Sequence, residues 1–152
     1  MSYLSLTRFD FIAKYLYLKF YNKEYQSKFY LDLYKNHIEV FNKCWEYPGT
    51  KTKVEEFIES FNKLIESFKK QGFNKEYPIE VGKNNVLNNG IHRLALSQYY
   101  NIEPITKLVE NNGCEIYHYD FFLNRNNYWR RDNENYSNLE QIYLDTMALE
   151  YV

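Results

Sequence analysis

One stretch of the chain, residues 78–96, restricts the fold more than any other. Ile79 and Val81 alternate with polar residues, a polar turn follows at 82–85, and a second short apolar segment leads to Gly90 and an apolar helical pattern. Short strands around a polar turn favour a hairpin, and a glycine before helical periodicity favours a tight turn into a helix. The spacing therefore predicts two strands and a helix over 91–100, with His92 and Arg93 in its first turn.

The predicted start of this helix carries groups that suit an anion. The first N–H groups of a helix have no partner within it, Gly90 allows close approach to the backbone, and Arg93 can form charge-assisted hydrogen bonds to phosphate. His92 can donate to a phosphate or transfer a proton near neutral pH. The alternative is structural, with Gly90 as a simple turn and Arg93 paired with a nearby acid. Taken alone, the residues favour this alternative.

Length and composition predict a single globular domain over residues 1–152. The chain is 45% hydrophobic and 26% charged, which is ordinary for a folded protein, and its length allows a sizeable core. Its formal net charge is −1. A protein that binds nucleic acid polymers needs a basic surface, so this class is not expected.

The sequence also bears on cellular location. Arg8, Asp10 and Lys14 interrupt the apolar residues near the N-terminus, so no secretory signal is expected. No stretch is apolar enough to predict a membrane span. Cys44 and Cys114 lie far apart and form no metal-binding or redox spacing. These features predict a reduced, cytoplasmic protein without a structural metal site.

Helical periodicity predicts three helices before residue 72. Thr52 and Glu55 form a candidate capping box for the third, and Gly72 is its expected stop. The apolar positions are Phe9, Ile12, Ala13, Leu16 and Phe20 in the first helix, Tyr30, Leu33, Tyr34, His37, Ile38 and Phe41 in the second, and Val54, Phe57, Ile58, Phe61, Leu64, Ile65 and Phe68 in the third. The residues predicted to be largely buried around the sheet are Phe57, Phe61, Leu64, Ile65, Phe68, Ile79, Val81, Leu94 and Leu108. His37 is interpreted as a core or interface histidine.

The last third of the chain gives weaker patterns. A strand is predicted over 105–109, a turn at 111–113, a further strand over 115–119, a polar loop over 124–138 and a helix over 139–151. The final helical pattern ends abruptly, so residues 139–152 are interpreted as the start of a missing C-terminal region that offers a surface for self-association. Its apolar face is Tyr143, Met147 and Tyr151. His118 and Asp120 can share a strand face with each other, and residues 129–131 can meet an acidic ligand, although structural roles are commoner for such residues.

The stretch around Gly90 resembles the ParB/sulfiredoxin-like fold. In that family a P-I-x-V strand precedes a hydrophobic pair and the motif D/N-G-x-H-R at a helix start, and the match here covers residues 57–109, about a third of the chain. The resemblance implies an α+β fold with a small mixed sheet and flanking helices, to which the helical periodicity within residues 1–50 adds an N-terminal helical pair. The family includes nucleotide-binding partition proteins, free-serine kinases and sulfiredoxins, so fold alone does not fix the function.

The resemblance implies that ATP with Mg²⁺ binds at the helix start. The implied phosphate-binding residues are Asn89, Gly90, Ile91, His92 and Arg93. Two of them depart from subfamily patterns. Related kinases usually have aspartate where this chain has Asn89, which is a weak metal ligand. Sulfiredoxins have their nucleophilic cysteine where this chain has Ile91, so sulfiredoxin chemistry is excluded.

Glu56, Glu55 and His92 are the candidate catalytic residues. Free-amino-acid kinases of this fold use a glutamate early in the preceding helix as a base for the substrate hydroxyl, and Glu55 and Glu56 occupy that place. Glutamate is also favoured in any first helical turn by the helix dipole. The leading expectation is a nucleotide-binding domain of a phosphotransferase for small hydroxylated substrates. A narrower resemblance, to longer bacterial proteins encoded among surface-polysaccharide genes, suggests glycan biosynthesis. The alternative is a non-catalytic ligand-binding or assembly module with the same fold.

Overall fold

The computed structural model describes residues 8–21, 27–42 and 51–113 of the 152-residue chain. The elements in these ranges are α1 (Phe9–Lys19), α2 (Ser27–Asn42), α3 (Val54–Gln71), β1 (Ile79–Val81), β2 (Leu87–Asn89), α4 (Ile91–Tyr99) and β3 (Thr106–Leu108). Helices and a small mixed sheet make this an α+β structure. Predictions for residues 115–152, including those for His118, Asp120 and the C-terminal helix, lie outside the described residues, as do Cys44 and Cys114.

The sheet has three strands in the order β2-β1-β3. β1 pairs antiparallel with β2 and parallel with β3. In the parallel pair, Val81 of β1 lies opposite Leu108 of β3. The antiparallel pair is a hairpin, because the turn that joins the strands is closed by a 2.9 Å hydrogen bond from the Gly82 N–H to the Val86 carbonyl. α4 then provides the crossover to the parallel strand, as in a βαβ unit.

The hairpin turn is joined to the turn at 111–113. The Asn84 side chain donates to the Gly113 carbonyl at 2.9 Å and accepts from the Gly113 N–H at 2.8 Å. The two backbones approach so closely that a Cβ at Gly82 would overlap the Gly113 amide, and a Cβ at Gly113 would overlap the Val86 carbonyl. These glycines are therefore needed for backbone contact.

The helices enclose one hydrophobic core. α1 packs against α2 and α4, and α3 packs against both of the latter. Fully buried members include Phe11, Leu33, Tyr34, Phe61 and Leu96. The helical pair α1–α2 thus shares its core with α3 and α4. None of the described helices is both long and apolar enough to cross a bilayer.

The predicted core around the sheet is only partly correct. Phe61, Ile65, Phe68, Ile79 and Leu94 are buried as expected, whereas Phe57, Leu64 and Val81 are half-buried. The prediction for Leu108 is wrong, because its side chain is 73% exposed. α4 packs on β1, where Ile79 is buried, and burial decreases along that strand toward Val81, the partner of Leu108. β3 is an edge strand that lies beyond the part of the sheet covered by α4.

Candidate functional site

A cavity of ≈ 210 Å³ lies at the start of α4. It is lined by the end of β2, the first turn of α4, one face of α3 and one residue that precedes α3. The lining residues are Lys51, Phe57, Ser60, Phe61, Leu64, Asn89, Gly90, Ile91, His92 and Arg93. All five residues predicted to bind phosphate therefore meet at one cavity. We call it the Gly90 cavity.

Gly90 shapes the floor of this cavity. It precedes the first residue of α4 with φ 105° and ψ 28°, in the left-handed region that favours glycine. Its carbonyl accepts the Leu94 N–H at 2.9 Å, the first hydrogen bond of the helix. The N–H groups of Ile91, His92 and Arg93 precede that bond and are the orphan donors of the helix start. A Cβ at residue 90 would lie 3.2 Å from both Arg93 Nη2 and Ile79 Cγ1.

The two terminal nitrogens of Arg93 have different surroundings: Nη1 is hydrogen-bonded to the backbone, and Nη2 lies beside Gly90. Its Nη1 donates to the Tyr77 carbonyl and, at 3.3 Å, to the Pro78 carbonyl. The structural alternative expected an acid as the partner of Arg93, whereas the observed acceptors are backbone carbonyls ahead of β1. Burial lowers the pKa of Arg93 and the charge of Glu80 raises it, but guanidinium stays charged. Nη2 makes no hydrogen bond within the described residues.

His92 is held by aromatic neighbours. Its Nε2 lies 2.9 Å from the Tyr34 hydroxyl oxygen, and its ring meets Phe61 edge-on at a centroid distance of 4.6 Å. Burial, followed by the positive charges of Lys14, Lys51 and Arg93, keeps the pKa of His92 well below its ordinary value. The imidazole is therefore neutral at pH 7. It offers an anion a polar N–H group without a positive charge.

Lys51 is a cavity residue that the sequence did not reveal. It lines the Gly90 cavity beside Arg93, and its ammonium lies 5.1 Å from the centre of the Phe57 ring. Its positive charge lowers the pKa of His92. No motif surrounds Lys51 in the sequence. It reaches the cavity because α3 packs near the start of α4, so local spacing carried no signal for it.

The structure does not bring Glu55 and Glu56 into the Gly90 cavity. The predicted Thr52–Glu55 capping box is wrong: the residue that precedes α3 is Lys53, which makes no side-chain capping hydrogen bond, and Glu56 Oε1 accepts the Thr52 N–H at 3.4 Å. Glu55 is exposed and lies beside Glu59 and Asn62 in a different cavity of ≈ 590 Å³. At 100° per residue, Glu55 projects from the face of α3 opposite to Phe57 and Leu64.

A buried polar cluster lies beneath the site. Arg8 forms a two-bond ion pair with Asp10, at 2.8 and 2.6 Å, and donates to the Leu87 carbonyl of β2 at 3.3 Å. Lys14 Nζ donates to the Asp10 carbonyl at 3.3 Å and to His37 Nε2 at 2.8 Å. His37 is buried in the core, which confirms one interpretation of its sequence position. The cluster joins α1, α2 and the strand that leads to Gly90.

The cluster also changes the charges near the site. Burial lowers the pKa of Lys14 to about 8, although Asp10 opposes this shift and Arg8 adds to it. Burial, followed by Lys14, lowers the pKa of His37 well below its ordinary value. Lys14 therefore carries the charge of this pair at neutral pH, and His37 accepts its hydrogen bond.

The described ranges hold no group of three or more His, Cys, Asp or Glu side chains arranged to bind a metal ion. Comparison of the chain with protein-family models, with curated proteins and with solved structures finds no match in any of the three.

Proposed function

We propose that the Gly90 cavity binds the phosphate of a small molecule, and that the chain acts as a phosphate-ligand-binding module. One observation carries this proposal. Arg93 and Lys51 line one cavity together with the first turn of α4, whose N–H groups are orphan donors, and Arg93 Nη2 makes no hydrogen bond within the described residues. Backbone donors at a helix start together with a guanidinium are a common way to bind phosphate.

The proposed fold for this module is the ParB/sulfiredoxin-like one. Two observations support it. The element order, from α3 through the hairpin and α4 to β3, follows the order that the motif implies. The Gly90-x-His92-Arg93 sequence lies at the turn into a helix, with Gly90 in the left-handed conformation.

The cavity suggests which part of a nucleotide would be enclosed. Its volume of ≈ 210 Å³ is smaller than the roughly 300–1,000 Å³ of typical ligand pockets. A phosphate and the group next to it would fill this space, so the rest of ATP would extend beyond it. Phe57, Leu64 and Ile91 form an apolar wall for the adjoining group. With ATP as the ligand, Mg²⁺ would arrive with the phosphates.

A small-molecule phosphotransferase, with surface-glycan assembly as its setting, is the second candidate. The position of Glu56 favours it. Glu56 precedes Ser60 by one helical turn, and Ser60 lines the Gly90 cavity, so the carboxylate lies on the flank of α3 nearest to the cavity. It can serve there as the base for a substrate hydroxyl if its hydrogen bond to Thr52 opens. Glu55, on the opposite face, is less suited to that role.

Calorimetry of the full chain with inorganic phosphate, ADP and ATP tests the binding proposal. Arg93→Ala should weaken binding by ~1.5–3 kcal/mol, the range for a hydrogen bond to a charged group. Arg93→Lys should recover only part, because an ammonium cannot reproduce the planar fork. Lys107→Ala removes an exposed cation of β3 away from the cavity and should bind like the wild type. If the wild type binds none of the three ligands, both candidate functions fail.

An assay of ATP consumption with small hydroxylated substrates separates the two candidates. Binding without turnover, unchanged by Glu56→Gln, supports the module. Turnover that is lost in Glu56→Gln and kept in Glu55→Gln supports the phosphotransferase. Glu55 is the matched control because it neighbours Glu56 in the same helical turn and faces away from the cavity.

A further inference from the structure

The hydrogen bond between Tyr34 and His92 joins the helical pair to the proposed phosphate site. Tyr34 belongs to α2 and is fully buried, whereas His92 belongs to the first turn of α4 and lines the Gly90 cavity. The Tyr34 oxygen lies 2.9 Å from His92 Nε2. The two rings are nearly perpendicular, at 77°, with centroids 6.1 Å apart. This geometry occupies Nε2 with Tyr34 and leaves Nδ1 without a hydrogen bond within the described residues.

The direction of the proton in this bond follows from burial. Burial raises the pKa of Tyr34 well above its ordinary value, so the phenol keeps its proton. Within the described residues, His92 Nε2 is the acceptor in reach of that hydroxyl. If Nε2 were the donor instead, the buried O–H would have no acceptor, which costs more than an ordinary hydrogen bond contributes. Tyr34 therefore donates and Nε2 accepts.

The charges around His92 favour the same neutral ring. Lys14 of α1, Lys51 ahead of α3 and Arg93 of α4 are all positive and disfavour an imidazolium. The other titratable groups that face it from α2 are Tyr34 and His37, and both are neutral when buried. With Nε2 accepting from Tyr34, the one proton of the neutral ring lies on Nδ1.

We propose that Tyr34 is a positioning residue of the Gly90 cavity, where it holds His92 as the neutral tautomer that presents its Nδ1–H to a phosphate oxygen. This inference rests on the proposed function. A neutral donor does not change its charge over roughly pH 6 to 8, so His92 adds no pH dependence of its own to binding. The cations of the cavity, Arg93 and Lys51, favour the more highly charged ligand, a phosphomonoester in its dianionic form, which predominates above a second pKa of about 6.

Nuclear magnetic resonance of the full chain with ¹⁵N-labelled histidine tests the tautomer without any ligand. The chain has three histidines, and His92→Gln identifies the His92 signals. In the wild type, His92 should carry its proton on Nδ1 and should not titrate over roughly pH 6 to 8. Tyr34→Phe should mix the tautomers or let the ring titrate. A wild-type ring with its proton on Nε2, or Tyr34→Phe spectra identical to the wild type, overturns the inference.

Tyr17→Phe is the matched control for Tyr34→Phe. Tyr17 is buried next to Tyr34, with ring centroids 5.0 Å apart, and its hydroxyl donates to Asn62 rather than to His92. Both variants lose one hydroxyl hydrogen bond and keep the ring, so both should fold. The His92 signals should change only in Tyr34→Phe. Equal changes in both variants would show a general packing effect and would overturn the positioning role.

Titration with inorganic phosphate completes the test. Tyr34→Phe should weaken phosphate binding by roughly three- to tenfold, the range for one neutral hydrogen bond, and Tyr17→Phe should not weaken it. Wild-type affinity should rise as phosphate becomes dianionic. An altered tautomer with unchanged phosphate affinity in Tyr34→Phe overturns this inference alone. No phosphate binding by the wild type overturns the proposed function and, with it, the role of Nδ1–H toward a ligand.

Discussion

At the scale of single residues, Gly90 is the position that most depends on having no side chain. Its φ of 105° costs an L residue roughly 1–2 kcal/mol, and a Cβ would lie 3.2 Å from Arg93 Nη2. We therefore expect Gly90→Ala to destabilise the fold and to weaken phosphate binding, because the methyl group would press against the buried Ile79 and displace the Arg93 guanidinium. Thermal unfolding and calorimetry measure the two effects.

Gly72→Ala is the control for this prediction. Gly72 also has positive φ, 70°, but nothing lies within 4 Å of its Cβ position. It follows the C-terminal end of α3, whereas the N-terminal end of the same helix lies near the cavity. Its substitution should lower stability and leave phosphate affinity intact. Unchanged phosphate affinity in Gly90→Ala would contradict the proposed ligand position.

A second prediction at this scale compares two large apolar residues that the sequence placed together in the core. Phe61 is 2% exposed and contacts His92, whereas Leu108 is 73% exposed. Phe61→Ala should lower the free energy of unfolding by ~3–5 kcal/mol, and Leu108→Ala should change it by less than about 0.5 kcal/mol. Chemical denaturation measures both. Comparable losses in the two variants would mean that β3 is covered in solution.

At the scale of elements, the contact between α1 and α2 contains a buried lysine that should give stability a distinctive pH dependence. The pKa of Lys14 is about 8 in the folded protein and 10.5 in the reference state, and the charged or titratable groups that interact with it are Arg8, Asp10, His37 and His92. Between these values the unfolded chain binds more protons than the folded one. The free energy of unfolding should therefore rise with pH above about 8, by at most ~1.4 kcal/mol per pH unit.

Denaturation of the wild type and Lys14→Met at pH values from roughly 7.5 to 9.5 isolates this effect, since tyrosines ionise above that range. The unfolding free energy of the wild type minus that of Lys14→Met should increase as the pH rises. Lys63→Met is the control, because the Lys63 side chain is 77% exposed on α3. Parallel pH curves for the wild type and Lys14→Met would refute the buried-ammonium account.

Local sequence patterns predicted the elements well and their long-range partners poorly. Gly72 and Gly90 mark a helix end and a helix start correctly, because both are set by nearest-neighbour backbone conformation. Lys14 is not among the apolar positions predicted for its helix, yet it is buried, and His37 from another helix accepts its hydrogen bond. The carbonyl acceptors of Arg93 also come from a separate segment. Periodicity reports which face is apolar, but it does not report which polar group a distant segment can satisfy.

At the scale of the whole molecule, the helical pair is part of the site as well as of the core. Arg8 of the segment that enters α1 donates to the strand leading to Gly90, and Tyr34 of α2 bonds to His92. The segment proposed to have the ParB/sulfiredoxin-like fold, residues 57–109, includes neither Arg8 nor Tyr34. Residues outside the resembling segment thus determine the protonation of a residue within it.

Phosphate binding at the first turn of α4 can be tested by a crystal structure of the full chain soaked with ATP and Mg²⁺. We expect phosphate oxygens within ~2.7–3.2 Å of N–H groups in the Gly90 cavity, with Arg93 Nη2 as a further donor. Phosphate bound elsewhere on the molecule, or a Gly90 cavity filled by another part of the chain itself, would contradict the account.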